Sequence, residues 1–286
     1  MKDAITYTEI STWLTCRQMH DFSYRRLLLG QGRDTYGARE FGSDIHNWLA
    51  LFHQGHSREF ICKSIMEKYA ELYYEKSHVQ LLRYWGLALG YIEISKRMTL
   101  TEIETVFQVP ILHPTEGYPH QHYEYAGKMD GVQLNGHNVL YEIKSTSRFD
   151  SMFIDTLQLS WQPQLYMLAM RDHYNVLPIQ VLYHVYNTQC QMKIKNGQDS
   201  NDLVMEIRDK VISMPEKYRF DLDFAPVIRD TARQFLWDIA CEIYEAYNIY
   251  RNAGLSCRNC DFVLECTTGD ITDTPTKGEK HEELAI

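Results

Sequence analysis

Nowhere in this 286-residue chain do about 18 apolar residues follow one another, and the opening Met1-Lys2-Asp3-Ala4-Ile5-Thr6 has neither the basic run nor the apolar stretch of a secretory signal. The expectation is a soluble, cytoplasmic protein with no membrane partner. Internal repeats and low-complexity linkers are also missing. Positive charge is scarce: 29 Lys and Arg against 38 Asp and Glu leave a net charge of -9. Phosphate contacts need Lys and Arg, so any nucleic-acid surface must be a local basic groove. Part of the acidity sits in residues 267–286, where Asp270, Asp273, Glu279, Glu282 and Glu283 face only Lys277 and Lys280. That segment reads as a flexible acidic tail. A disulfide framework is also not expected, because an intracellular compartment keeps thiols reduced; the seven cysteines then point to metal binding or plain burial.

What is present is ample core material, 44% hydrophobic and 13% aromatic, enough for one large domain or two small ones. Residues 3–30 carry apolar side chains at helical spacing, with Ser11-Thr12 as the candidate N-cap. After a break at 33–37, helices are expected over 41–52, 58–76 and 78–97. From Thr101 the pattern alternates and becomes β-branched, which predicts a strand. Two more strands, 123–134 and 139–145, flank Asn135-Gly136-His137-Asn138, whose Asn-Gly step favours a hairpin turn. Helix is expected again over 155–173, 201–213 and 228–252, and strand over 179–194.

The hairpin carries the chemistry. Glu142 and Lys144 are separated by one residue and so share a sheet face, while Ile143 turns to the opposite layer. Asp130 reaches the same face from the neighbouring strand. Paired carboxylates on one face repel unless a cation lies between them, and hard divalent ions such as Mg²⁺ or Mn²⁺ prefer oxygen ligands. Such an ion activates water at neutral pH and stabilises charge on a phosphodiester, and the nearby ammonium adds to both. The bland alternative is a surface ion pair between Glu142 and Lys144, since Glu-x-Lys is a common tripeptide.

Four segments in order, Gly42-Ser43-Asp44-Ile45-His46, Gly127-Lys128-Met129-Asp130, Glu142-Ile143-Lys144 and Gln162-Pro163-Gln164-Leu165-Tyr166, resemble the motifs of the RecB-like branch of the PD-(D/E)XK nuclease superfamily. That branch includes CRISPR adaptation nucleases and iron-sulfur exonucleases. The resemblance implies that His46, Asp130 and Glu142 ligate the metal with the Ile143 carbonyl, and that Lys144 is the catalytic lysine. Gln162 and Tyr166 would line the cleft. Pro163 places Gln162 at a helix cap or a kink. Glu104 sits where relatives often carry an acid, and a structural or supporting role is expected for it rather than a ligand role. An imidazole in the ligand set makes Mn²⁺ a rival to Mg²⁺.

Cys257-Arg258-Asn259-Cys260 and Cys266 cluster near the C-terminus, and by residue type alone Cys16, Cys62, Cys190 or Cys241 can complete a site for zinc or for an iron-sulfur cluster. The resemblance selects Cys16 and a [4Fe-4S] cluster that ties the two chain ends together. Cys62, Cys190 and Cys241 are then expected as small buried hydrophobes.

Taken together, these readings imply one α/β nuclease domain over residues 1–266, a restriction-endonuclease-like core with a central mixed sheet flanked by helices. It would have an N-terminal helical region and a C-terminal iron-sulfur clasp. The implied activity is a metal-dependent deoxyribonuclease, an exonuclease on single-stranded DNA or free ends, with protein partners from recombination, repair or CRISPR adaptation. A non-cleaving or partner-dependent binding module is the alternative. Arg17, Arg25, Arg26, Arg33, Arg39 and the Lys144–Arg148 stretch are candidates to track phosphates, and Trp13, Tyr24 and Tyr36 to stack on bases, although core packing accounts for the aromatics equally well.

Overall fold

A computed structural model describes residues 2–29, 36–75, 79–136, 138–190, 199–224, 230–247, 249–271 and 276. In chain order the elements are β1 (Asp3–Thr6), α1 (Tyr7–Thr15), α2 (Arg17–His20), a π turn (Asp21–Arg25), α3 (Ala38–His53), α4 (Arg58–Glu75) and α5 (Val79–Ile94). They continue with β2 (Glu102–Leu112), β3 (Pro119–Gln133), β4 (Val139–Thr146), α6 (Ser151–Leu159), α7 (Trp161–Tyr174), β5 (Gln180–Asn187), α8 (Ser200–Ser213), α9 (Pro215–Tyr218) and β6 (Arg219–Phe224). Last come α10 (Asp230–Glu245), a 3-10 turn (Leu255–Asn259) and α11 (Val263–Thr268). Among the described residues, no helix is long and apolar enough to cross a membrane.

The chain divides into two compact units. One gathers Met1–Asp34, Val106–Gly127 and Ile228–Ile286; the other gathers Thr35–Thr105 and Lys128–Val227. In the second unit, β4 pairs antiparallel with the end of β3, Gly131 opposite Tyr141, and parallel with β5, while β6 closes the edge antiparallel to β5. The sheet is therefore mixed. All of Val139–Ile143 is buried, the mark of a strand covered on both faces. Tyr141 and Ile143 point into an apolar cluster with Phe41, Ile45, Leu87, Tyr91 and Ile207, and alternation sends Glu142 and Lys144 to the other face.

Helix α5 is apolar on nearly every side and nearly all of it is buried, as a helix inside a core must be. Its Gly86 and Gly90 lie against α8 so closely that an added Cβ would come within 2.7 Å of the Val204 carbonyl oxygen and 2.5 Å of Val211 Cβ. The two glycines let the helices touch.

In the first unit β1 pairs parallel with the first half of β3, Ile5 opposite Tyr125. The single helix expected over 3–30 is thus a strand followed by broken helix. Thr6, not Ser11 or Thr12, caps α1 by accepting the Glu9 N–H at 3.2 Å, because Asp3–Thr6 is drawn into the sheet. Cys16 breaks α1 from α2 in an extended conformation, φ -160° and ψ 114°. At the far end α11 extends to Thr268 and Thr276 bridges to Leu28; the rest of the expected acidic tail, residues 272–275 and 277–286, lies outside the described residues.

Candidate metal centre

The β3–β4 ladder stops at Gly131 and Tyr141, and the next residue of β3, Asp130, reaches β4 through its side chain instead. Asp130 Oδ2 accepts the Ile143 N–H at 2.7 Å, and Asp130 Oδ1 lies 2.9 Å from His46 Nδ1. On β4, Lys144 Nζ donates to Glu142 Oε2 and to Gln162 Oε1, each at 3.0 Å. One connected set therefore links His46 to Asp130 and the Ile143 amide, and another links Glu142 to Lys144 and Gln162.

Local structure explains each placement. Gly42, one helical turn before His46, lets α3 approach β4: a Cβ there would lie 3.2 Å from Ser145 Oγ. Helix α3 is started by Glu40, whose carboxylate accepts the Gly37 N–H at 2.9 Å. Gln162 is neither cap nor kink. Ser160 caps α7, its hydroxyl accepting the Gln162 N–H at 3.2 Å, so Pro163 falls in the first turn, where a missing amide donor costs nothing. Tyr166 follows one turn later, buried on the same helix.

Glu104 departs most from expectation. Its backbone has φ +54° inside β2, a left-handed conformation that non-glycine residues rarely adopt and that marks functional sites more often than plain strands. Among the described residues, His46, Glu104 and Asp130 form the one group of three or more His, Cys, Asp or Glu whose ligand atoms all lie within 4.8 Å of one another. Glu104 also pairs with Lys128. Sequence alone places Glu104 in a supporting role, because no residue pattern announces a left-handed residue inside an otherwise regular strand.

The electrostatics are those of charges held away from water. Burial raises the Glu142 carboxyl, the Lys144 ammonium opposes this and the Asp130 charge adds to it, leaving it at about 7. For Asp130 burial pulls upward, but the His46 imidazolium, Lys144 and the Ile143 amide outweigh it and hold the carboxyl below its usual range. For His46 burial pulls downward, and Asp130 reverses it to a net rise. Two buried carboxylate oxygens, Glu104 Oε1 and Glu142 Oε1, have no hydrogen-bond partner among the described residues.

A family model of the PD-(D/E)XK nucleases matches residues 4–267. The chain belongs to the PD-(D/E)XK nuclease superfamily. It is thus a member of a group of metal-dependent nucleases that use Mg²⁺ or Mn²⁺, and its acidic cluster is where this superfamily's chemistry is expected. A comparison with curated proteins finds no match. Among solved structures, SSO0001 superposes with a TM-score of 0.41 at 11% identity, over 94% of this chain and 87% of its own. A protein of Eubacterium rectale provisionally named an exonuclease gives a TM-score of 0.40 at 8% identity, over 90% and 92%. Likenesses this distant bear on neither activity nor substrate.

Four of the seven cysteines gather in one part of the first unit. Cys16, Cys257, Cys260 and Cys266 all line one cavity of about 230 Å³, together with Met19, Phe22 and Phe262, and without a carboxylate or imidazole. Burial raises the Cys260 thiol, and the other three cysteines raise it further. Backbone amides already point at sulfur: Asn252 N–H donates to Cys16 Sγ at 3.4 Å and Gly254 N–H to Cys257 Sγ at 3.5 Å. Of the remaining cysteines Cys190 is buried, whereas Cys62 and Cys241 are half-buried.

The basic residues expected to track phosphates are mostly engaged elsewhere. Arg17 pairs with Glu242, Arg25 donates to the Ile243 and Ala246 carbonyls, and Arg26 pairs with Asp21. Arg39 instead lines a cavity beside His46, while Arg33 lies outside the described residues. Trp13 and Tyr36 are buried in the core and present no face to a base.

Proposed function

We propose that this protein is a divalent-metal-dependent deoxyribonuclease of the RecB-like branch, hydrolysing phosphodiesters as an exonuclease on single strands or free DNA ends. The observation that carries the reading is the convergence of His46, Glu104 and Asp130 within 4.8 Å, next to buried Glu142, with two carboxylate oxygens left without partners. Burying carboxylates with open lone pairs is expensive unless a cation fills them, so the donor set fits a hard divalent ion. His46, Asp130 and Glu142 would hold it, and Glu104 joins them as a candidate ligand. A strand residue turns its N–H and C=O toward the same neighbour, so the Ile143 carbonyl faces Asp130 as its amide does and is suited to the remaining place. When bound, the ion supplies water activation and charge stabilisation at the phosphate.

The protein's own groups do the positioning. Lys144 is fixed between Glu142 and Gln162, so its ammonium is held where charge develops on the scissile phosphate. Gln162 thereby acts through Lys144, and Tyr166, one turn along, extends the wall of the site. We assign residues 1–266 to one nuclease domain, working in the cytoplasm in recombination, repair or CRISPR adaptation; the four motifs in order support this.

In the same proposal the four cysteines hold a [4Fe-4S] cluster. Soft thiolates suit iron-sulfur or zinc, and a single tetrahedral ion with Zn–S of about 2.3 Å draws its sulfurs together. All four line one cavity without a carboxylate or imidazole, which is a donor set for soft metals.

The test is degradation of end-labelled single- and double-stranded DNA with Mg²⁺ or Mn²⁺ by anaerobically purified wild type, Glu142→Gln and Asp130→Asn. Wild-type cleavage reduced by several orders of magnitude in both variants is expected, with cluster content unchanged. Variants that cleave at wild-type rates would remove the assignment.

A further inference from the structure

Beside α3 lie two cavities that share Ala38 and Ser145. One, of about 370 Å³, contains His46 with Arg39, Lys128, Ser43 and Asn47. The other, of about 510 Å³, continues from Ser145 past Thr146 and Thr188 to Gln80 and Arg83. No carboxylate lines either of them, although the chain as a whole carries -9. Their walls are hydroxyls, amides and cations, which is lining for an extended anion.

Arg83 is the feature that needs an explanation. It stands on α5, and its Nε is buried without a hydrogen-bond partner among the described residues. An unpartnered buried donor costs about 1–3 kcal/mol, more when charged, and a native structure that keeps one commonly has a group missing from view. A guanidinium presents a planar fork that matches phosphate. The neighbouring Ser145, Thr146 and Thr188 offer hydroxyls suited to a sugar-phosphate backbone and carry no reading of base identity.

We propose that Arg83 binds a backbone phosphate of the substrate strand, so that one single strand of nucleic acid runs from the His46 cavity across Ser145 to the Arg83 cavity. This rests on the nuclease reading and adds to it a phosphate-contacting residue that is not among the candidate metal ligands. Cavities of this size take nucleotide-sized groups, which favours a single strand over a duplex at this point.

The experiment measures binding of a short fluorescent oligodeoxythymidylate in EDTA at several salt concentrations, then Mn²⁺-dependent cleavage of the same strand. Arg83→Gln should weaken binding about tenfold, flatten the dependence of log affinity on log salt by about one charge, and raise KM more than it lowers kcat. Lys63→Gln, at an exposed lysine of α4 paired with Glu67, should leave all three unchanged. Wild-type protein that binds and cleaves while Arg83→Gln matches it in affinity, salt slope and KM overturns the proposal and leaves the nuclease reading standing. An equal loss in Lys63→Gln also overturns it, because the effect is then one of general charge. Wild-type protein that neither binds nor cleaves overturns the nuclease reading itself. Should Arg83→Gln fail to fold, Gln80→Glu introduces a carboxylate at an exposed position of the same cavity; it should weaken binding most at low salt, and unaltered binding sinks the idea.

Discussion

At the scale of single residues, the most consequential polar groups outside the candidate metal centre are two buried histidines. The Met98 N–H donates to His53 Nδ1 at 3.2 Å, which leaves the His53 proton on Nε2, 2.9 Å from the Tyr141 hydroxyl. That hydroxyl lies 2.8 Å from His184 Nδ1, and His184 Nε2 lies 3.2 Å from Asp221. Each ring is thus held in one neutral tautomer, and Arg219 stands against His184 at 2.8 Å. Burial, reinforced by the Arg219 charge, lowers His53 to about 4 and His184 to about 2. In the unfolded chain both titrate near 6.5, so the unfolded state binds more protons below that pH. Their contribution to stability is complete above about pH 6.5 and is lost as the pH falls toward the folded values, roughly 2 kcal/mol per histidine at pH 5. His184→Gln keeps an acceptor and a donor without the titration. Its urea midpoint should fall less than that of wild type between pH 7.5 and pH 5, and parallel declines would show that His184 is not the sensor. At this scale the sequence revealed Glu142 and Lys144 because period two is enforced by the strand itself. It left Glu104 in a supporting role, because its orientation comes from a left-handed backbone that residue type does not encode, and it concealed this relay, which joins residues from α3, β4, β5 and β6.

At the scale of elements, α5 and α8 show how small residues govern helix contact. An Ala at Gly86 would sit 2.7 Å from the Val204 carbonyl oxygen and Ile207 Cβ, and at Gly90 2.5 Å from Val211 Cβ, so backbone or stem atoms must shift. Alanine gains up to about 1 kcal/mol in helix propensity, but overpacking costs about 1–3 kcal/mol, and with contacts this short the clash should dominate. Gly86→Ala and Gly90→Ala should each lower chemical stability by about 1–2 kcal/mol, while Gly254→Ala, which meets open space, should be near neutral. Stabilisation by either α5 substitution would mean that the two helices do not approach this closely. Most long helices and the β2–β4 strands were legible because their periodicities run over many residues and the β3–β4 turn carries Gly136 and Asn138 at positive φ, but the single helix expected over 155–173 is α6 and α7, parted where Ser160 turns extended to cap the second. Strands β1 and β6 were not. Four to six residues are too few for a period, and both strands exist because a neighbour, β3 or β5, supplies hydrogen bonds.

At the scale of the whole molecule, four cysteines from parts of the chain far apart in sequence line one cavity. Asn252 Nδ2 donates to the Thr15 carbonyl and Arg251 Nη1 to the Cys266 carbonyl, both at 3.3 Å, and Phe22 packs on Phe262 with ring centroids 5.5 Å apart. A small buried cluster of Phe22, Leu28 and Phe262 adds to these contacts, and the proposed iron-sulfur cluster would add to the ordering of Cys16 against residues 251–266. If the four cysteines hold a cluster as proposed, its binding energy would be part of the folding energy of this unit, because it would close a loop of more than two hundred residues whose entropy folding must overcome. Cys257→Ala should therefore emerge without iron or labile sulfide and with faster hydrogen exchange in α1, α10 and residues 255–268, while α5, α8, β4 and β5 stay protected. The localisation is the informative part. Exchange that rises evenly over both units would mean that the cysteine site is not a separate source of order. A Cys257→Ala protein that stays brown and protected would remove Cys257 from the site, and stoichiometric zinc in the wild type would replace the cluster with a single ion while leaving the closure argument in force.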